Sequence, residues 1–62
     1  MAYSTEGLPK TYLLNGKRYR LHSSWLAYNN ASWEAEKLRS EGWKTTIVKI
    51  LGLHIVYKRR EE

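Results

Sequence analysis

The stretch from Trp43 to Arg60, WKTTIVKILGLHIVYKRR, constrains the fold more than any other part of the chain. It is the densest apolar and β-branched run in the sequence, and Gly52 is the residue that breaks it. Two strands that meet at a tight turn account for this pattern, with Leu51 and Gly52 as the turn residues. The stretch therefore predicts a β-hairpin.

A two-residue turn sets the register of this hairpin and assigns its side chains to two faces. One face carries apolar pairs, namely Ile50 with Leu53, Val48 with Ile55 and Thr46 with Tyr57. The other face is basic with two aliphatic residues in the middle, and it carries Lys49 with His54, Ile47 with Val56 and Thr45 with Lys58. We expect the first face to be the core and the second to be an outer face.

The segment from Lys10 to His22 predicts a second hairpin. Asn15 and Gly16 are the residue pair that best tolerates the positive φ angles of a type I′ turn, and alternating residues flank them. The register sends four apolar side chains to the core, namely Tyr12, Leu14, Tyr19 and Leu21. It sends three basic or imidazole side chains outside, namely Arg18, Arg20 and His22.

Residues 23–29, SSWLAYN, are compatible with a strand, a loop or an early helix. We favour a loop that packs Trp25 and Tyr28 on the core. Residues 1–9 have no periodicity and are broken by a glycine and a proline, so we expect a loose N-terminal arm. Residues 10–62 then form the single domain.

A helix is predicted between the two hairpins. Asn29 or Asn30 can cap its start, and Gly42 can end it in the left-handed conformation, with Trp43 folding back on Leu38. An apolar stripe that can pack on a sheet consists of Ala31, Ala35 and Leu38. The predicted fold is a single α+β domain of order ββαββ, with one helix on a four-stranded, mainly antiparallel sheet.

Trp33 points about 160° to 200° away from the apolar stripe at 3.6 residues per turn. An exposed Trp on a helix is a frequent anchor of protein interfaces. The alternative is that the 23–29 loop folds over it. Both interpretations stay open at this point.

The composition limits the class of protein. A chain of 62 residues forms one domain and buries only about 60% of its unfolded surface, so a homodimer stays open as an alternative. The chain has no Cys, no apolar run of membrane-spanning length and no signal-peptide pattern, so we expect a cytoplasmic protein without a metal or cofactor. The absence of Gln, Cys and Asp beside abundant Lys, Arg and Glu favours a thermophilic source.

The positive charge is concentrated in the two hairpins. The formal net charge is +5, and nine of the eleven Lys and Arg residues lie in segments 10–22 and 44–60, which contain no acidic residue. The predicted helix carries Glu34, Glu36 and Glu41 against Lys37 and Arg39. The protein should therefore have a basic side and a nearly neutral side.

The segment from Ala31 to Arg59 contains the stretch AEKLRSEGW, in which a helix that ends in Gly plus an aromatic residue leads into a strand pair. This arrangement resembles one half of a SPOR-type domain and also resembles small archaeal proteins of no assigned activity. The resemblance covers under half of the chain. A SPOR domain has two such repeats and binds peptidoglycan glycan chains, so the single repeat here implies the local fold and not that function.

These patterns predict a small nucleic-acid-binding protein of low sequence specificity, for either DNA or RNA. The predicted contacts lie on the outer sheet face and in the C-terminal cationic run. They are Arg18, Arg20, His22, Lys49, His54, Lys58, Arg59 and Arg60. Glu61 and Glu62 partly offset the charge of the C-terminal run. A merely solvated face and a dimer interface are the alternatives for this surface. No catalytic motif is present, so we predict a binding protein and not an enzyme. The alternative function is a protein-binding adaptor or inhibitor that docks through the helix, with Trp33 and Lys37 in contact with the partner.

Overall fold

The computed structural model describes residues 6–60 and confirms the α+β fold of order ββαββ. Its elements are β1 (Thr11–Leu14), β2 (Lys17–Trp25), α1 (Tyr28–Ser40), β3 (Trp43–Ile50) and β4 (Leu53–Arg60). The strands form one antiparallel sheet in the order β1-β2-β4-β3. The two hairpins therefore join through β2 and β4, and β1 and β3 are the edge strands.

Both hairpins have the predicted turns and registers. Asn15 and Gly16 have φ angles of 52° and 76°, and Leu51 and Gly52 have φ angles of 52° and 77°. Positive φ at both central residues is the conformation of a type I′ turn, whose twist matches that of the flanking strands. The turn residues were therefore enough to predict the strand register of both hairpins.

The prediction of a loop over residues 23–29 is wrong, because β2 continues to Trp25 and α1 begins at Tyr28. Ser23 lies opposite Val56 and Ser24 lies opposite Ile55, after a register shift between Leu21 and Ser23. Both serines are buried. Pairing with the central strand β4 outweighs the weak strand preference of two serines, because a buried backbone needs its hydrogen-bond partners.

Helix α1 begins earlier than predicted and ends where predicted. Its N-cap is Ala27, without a side-chain hydrogen bond, so Asn29 and Asn30 lie inside the first turn and do not cap it. At the other end Gly42 has a φ of 95°, and the Glu41 N–H donates to the Leu38 carbonyl at 3.0 Å. No helix within residues 6–60 is long and apolar enough to cross a membrane.

The helix packs on the sheet face that the sequence suggested was outward. Ala31, Ala35 and Leu38 form a buried cluster with Val56, and Trp25, Trp43 and Ile47 pack against it. We call this side of the sheet the helix face. The prediction that it is an outer face is wrong over this region, because Ile47 and Val56 supply enough apolar surface to hold a narrow stripe of small helix residues.

The opposite side of the sheet, which we call the tyrosine face, is the other half of the core. Its buried cluster consists of Leu8, Tyr19, Ile55 and Tyr57. Leu8 comes from the predicted N-terminal arm, which is therefore packed on the sheet where it is described, while its residues 1–5 lie outside the described range. The Tyr57 hydroxyl donates to the Pro9 carbonyl at 2.8 Å, and this bond attaches the arm to β4.

Candidate nucleic-acid interface

A basic groove lies at one end of the sheet, where β2 and β3 begin and β4 ends. It is open, with a volume of about 900 Å³. We call it the basic groove, and its lining consists of Gly16, Lys17, Arg18, Arg20, Trp43, Lys44, Lys58, Arg59 and Arg60. Seven of these nine residues are cationic. They come from three strands, so the groove exists only because β2 and β4 pair.

The pairing of β2 with β4 explains how the cations meet. Arg20 lies opposite Lys58, and Lys58 lies opposite Thr45 on β3. Arg18 and Arg60 lie two residues further along β2 and β4, towards the end of the sheet. Side chains two residues apart on a strand share a face, so these four cations extend the helix face beyond the region that α1 covers.

Aromatic rings hold three of the cations in the groove. The Lys58 ammonium lies 4.1 Å from the centroid of the Trp43 ring, and the Arg60 guanidinium carbon lies 5.1 Å from the same centroid. On the tyrosine face the Arg59 guanidinium carbon lies 5.6 Å from the Tyr19 ring. A cation over an aromatic face is attracted by the ring quadrupole, which limits the conformational freedom of a long side chain. The groove therefore presents partly ordered charges.

No carboxylate lines the basic groove among residues 6–60. The glutamates of α1 lie outside its lining, and Glu34 faces His22 instead. Glu61 and Glu62 follow Arg60 in the chain and lie outside the described residues. Seven cations in one lining create a positive potential that attracts polyanions.

The structure brings together five of the eight residues predicted to bind nucleic acid, namely Arg18, Arg20, Lys58, Arg59 and Arg60. Sequence reasoning missed Lys17, Lys44 and Trp43. Lys17 pairs with Leu14, but it is the first residue of β2 and is exposed. Lys17 and Lys44 could have been predicted from the sequence, because the two hairpins contain no acidic residue.

The predicted C-terminal run is part of the sheet and not a tail. Lys58, Arg59 and Arg60 are the last three residues of β4. Successive strand residues point to opposite faces, so Lys58 and Arg60 meet Trp43 on one face while Arg59 meets Tyr19 on the other. The basic groove thus wraps around the end of the sheet.

His22 lies outside the groove lining and is half-buried at the β2 irregularity. Its Nε2 atom lies 3.9 Å from Glu34 Oε1, and its Nδ1 atom lies 3.1 Å from Ser23 Oγ. Burial lowers the pKa of His22 below 6.5, the nearby Lys58 ammonium lowers it further, and Glu34 opposes both effects. The neutral imidazole is therefore favoured, which suits a packed residue better than a phosphate contact.

Lys49 and His54 lie at the other end of the sheet. They pair with each other next to the β3–β4 turn, and neither lines the basic groove. The His54 ring packs edge-on against Tyr28 with a centroid distance of 5.5 Å. Helix α1 crosses the helix face between these two residues and the groove, so the structure divides the predicted binding face into two parts.

Trp33 is 63% exposed on the outer side of α1, which confirms the helical geometry predicted from the sequence. The alternative in which residues 23–29 fold over it is wrong, because those residues continue β2 and start the helix. The Lys37 ammonium lies 5.6 Å from the Trp33 ring centroid. This contact is a surface feature that is separate from the basic groove.

Among residues 6–60 no group of three or more His, Asp or Glu side chains lies close enough to hold a metal ion. No protein-family model, curated protein or solved structure matches this chain. The SPOR-type resemblance and the thermophilic source therefore stay predictions. The interface is defined by its own geometry, as a basic groove at the end of a small antiparallel sheet.

Proposed function

We propose that the protein binds nucleic acid with low sequence specificity through the basic groove. The observation that carries this proposal is the convergence of seven cations from three strands, with no carboxylate in the groove lining among the described residues. A merely solvated sheet face needs polar side chains but has no need to gather cations of one sign at one end. Such clustering raises the energy of the free protein, and a bound polyanion removes that repulsion.

Phosphate contact explains the choice of residues better than base reading does. Lys and Arg neutralise phosphates and release counterions, which supplies affinity without sequence information. Within residues 6–60 the groove lining has no Asn, Gln, Asp or Glu, which are side chains besides Arg and Lys that read base edges by hydrogen bonding. A protein with this lining grips the backbone of many sequences with similar affinity.

Titration at several salt concentrations tests the proposal. Labelled single-stranded DNA, duplex DNA and RNA of mixed sequence would be titrated with the protein and followed by fluorescence anisotropy. Affinity should fall linearly with salt on logarithmic axes, with a slope of about 3 to 6 if most of the seven cations contact phosphates. A weak dependence on salt, or no binding at low salt, would refute the proposal.

A second candidate function is a protein-binding adaptor or inhibitor, which the exposure of Trp33 favours. A large exposed aromatic ring contributes much of the binding energy when a partner buries it. Lys37 lies beside this ring and would supply a polar contact at the rim. The two functions use separate surfaces, so substitutions can distinguish them.

A further inference from the structure

Trp43 contacts both the buried core under α1 and the basic groove. Trp43 packs against the buried cluster of Ala31, Ala35, Leu38 and Val56, and it also lines the basic groove. An indole that is partly buried in this way has less rotational freedom to lose when a ligand contacts its exposed part. Trp43 is therefore a preorganised aromatic surface inside a cationic site.

In the free protein two cations lie over this indole, with Lys58 Nζ at 4.1 Å from the ring centroid and Arg60 Cζ at 5.1 Å. Both cations are also the groups that we expect to contact phosphates. When a phosphate takes one of them, that cation moves away from the ring and leaves part of the indole face free. The same binding event thus supplies the phosphate contact and opens a stacking surface beside it.

We infer that the basic groove prefers single-stranded nucleic acid over duplex, because Trp43 stacks on an unpaired base. This inference rests on the proposed function and names its class of ligand. Base stacking on an aromatic side chain is tolerant of sequence, because every base has a π-face. In a duplex the bases already stack on each other, and exposing one to the indole requires unfavourable unstacking and unpairing.

The geometry of the groove agrees with this preference. Its lining comes from the ends of three strands, and the Trp43 indole lies among the cations. A single strand can follow this lining with its phosphates on the cations and a base against the indole. The combination of a cationic groove with an aromatic surface is typical of proteins that bind single strands.

The test compares three ligands of equal phosphate number at one salt concentration: oligothymidylate, an abasic single strand and a duplex. Oligothymidylate should bind at least about fivefold more tightly than the abasic strand or the duplex, which is the lower end of what one stacked base supplies. A duplex that binds as tightly as oligothymidylate would overturn the single-strand preference. For the Trp43 variants the measured quantity is the ratio of the affinities for oligothymidylate and the abasic strand. Trp43→Leu should bring this ratio to about one, even where losing the ring contacts of Lys58 and Arg60 changes both affinities, whereas Trp43→Phe should retain most of the difference. Thermal unfolding of each variant establishes that it folds.

A spectroscopic measurement keeps the test decisive if Trp43→Leu does not fold. In the double variant Trp25→Phe/Trp33→Phe, Trp43 is the one remaining Trp in the sequence. Its fluorescence should be quenched by oligothymidylate and much less by the abasic strand. Equal quenching by both ligands would overturn the assignment of Trp43.

The possible failures are distinguishable. If oligothymidylate and the abasic strand bind equally, stacking is refuted while phosphate binding in the groove stands. If folded Trp43→Leu keeps the difference between them, another residue stacks the base and the assignment of Trp43 is overturned. If none of the three ligands binds at low salt, the proposed function itself fails.

Discussion

Asn15 and Leu51 occupy the same position in two equivalent turns, and each has a φ of 52°. Asn adopts this left-handed conformation readily, whereas most other L-residues do so at a cost of about 1–2 kcal/mol. Leu51 is also 87% exposed, so it gains almost no burial in return. The β3–β4 turn is therefore strained and the β1–β2 turn is not.

This difference predicts that Leu51→Asn stabilises the protein. The free energy of unfolding should rise by about 1 kcal/mol in a denaturant titration, because the turn strain is relieved and no packing is lost. Asn15→Leu is the matched control and should lower it by a similar amount. If Leu51→Asn were neutral while Asn15→Leu destabilised, Leu51 would have a compensating contact that the turn geometry does not explain.

Charge reversal in the groove should weaken nucleic-acid binding. Arg18→Glu/Arg20→Glu removes two favourable contacts and adds repulsion, so affinity should fall at least about tenfold while exposed positions keep the stability change small. The matched control is Lys37→Glu/Lys49→Glu, which changes the net charge equally at two exposed sites outside the groove. Anisotropy titrations at moderate salt compare the pairs. Equal losses would mean that net charge governs binding and the groove does not.

The position of His22 predicts how stability depends on pH. Its pKa in the folded state lies below the unfolded value of 6.5, first because of burial and then because of Lys58. Below pH 6.5 the His22 imidazole therefore binds protons more readily in the unfolded state than in the folded state. The contribution of His22 to the free energy of unfolding is complete above pH 6.5 and is lost as pH falls through the folded pKa. Denaturant titrations across that pH range measure the free energy of unfolding. The His22→Asn variant should lack this part of its pH dependence, and a profile equal to that of the wild type would contradict the prediction.

Glu34 should hold the pKa of His22 higher than burial alone would allow. Glu34→Gln removes the carboxylate that lies 3.9 Å from the imidazole, so the pKa of His22 should fall further. An NMR titration of the His22 ring proton measures the shift. Glu36→Gln is the control on an exposed position of the same helix and should leave that pKa nearly unchanged.

Two opposite substitutions on the helix face should have opposite effects on stability. Val56 is fully buried under α1, so Val56→Thr places a hydroxyl in an apolar environment without a hydrogen-bond partner. This substitution should lower the free energy of unfolding by about 1–3 kcal/mol. The Thr45 Oγ1 atom is already buried without a hydrogen-bond partner among the described residues. Thr45→Val should therefore be neutral or stabilising in the same denaturant titration. Tolerance of Val56→Thr would contradict the packing of the helix on this face.

Trp33→Ala separates the two candidate functions. Because Trp33 is largely exposed, its substitution should change the free energy of unfolding by no more than about 0.5 kcal/mol and should leave nucleic-acid affinity unchanged. A protein partner that is captured by the wild type and by Arg18→Glu/Arg20→Glu but lost with Trp33→Ala would support the adaptor function. A loss of about 3 kcal/mol in stability would instead indicate a buried Trp33.

The local elements of this protein were predictable from neighbouring residues. Asn15 with Gly16 and Leu51 with Gly52 set the two turns, and a turn position determines which strand residues lie opposite each other. Gly42 ended the helix for the same kind of reason, because it can adopt a positive φ. Charge segregation could also be read directly, which is why five of the eight predicted contact residues line the groove.

The alternation of residues along a strand determines which side chains share a face, and it leaves open which face receives the helix. Here both faces carry apolar residues, since Ile47 and Val56 lie on one side and Ile55 and Tyr57 on the other. The helix covers the side with less apolar surface, and Leu8 of the N-terminal arm packs on the other. That choice depends on the total packing of distant segments, so local patterns do not contain it.

The location of the basic groove depends on the tertiary structure. Its parts lie at positions 16–20, 43–44 and 58–60, and they meet because β4 returns between β2 and β3. The same pairing draws Ser23 and Ser24 into the sheet and leaves Lys49 and His54 at the far end. By itself the sequence determined how much positive charge the hairpins carry, while the order of the strands determined where it gathers, because strand order follows from non-local pairing and burial.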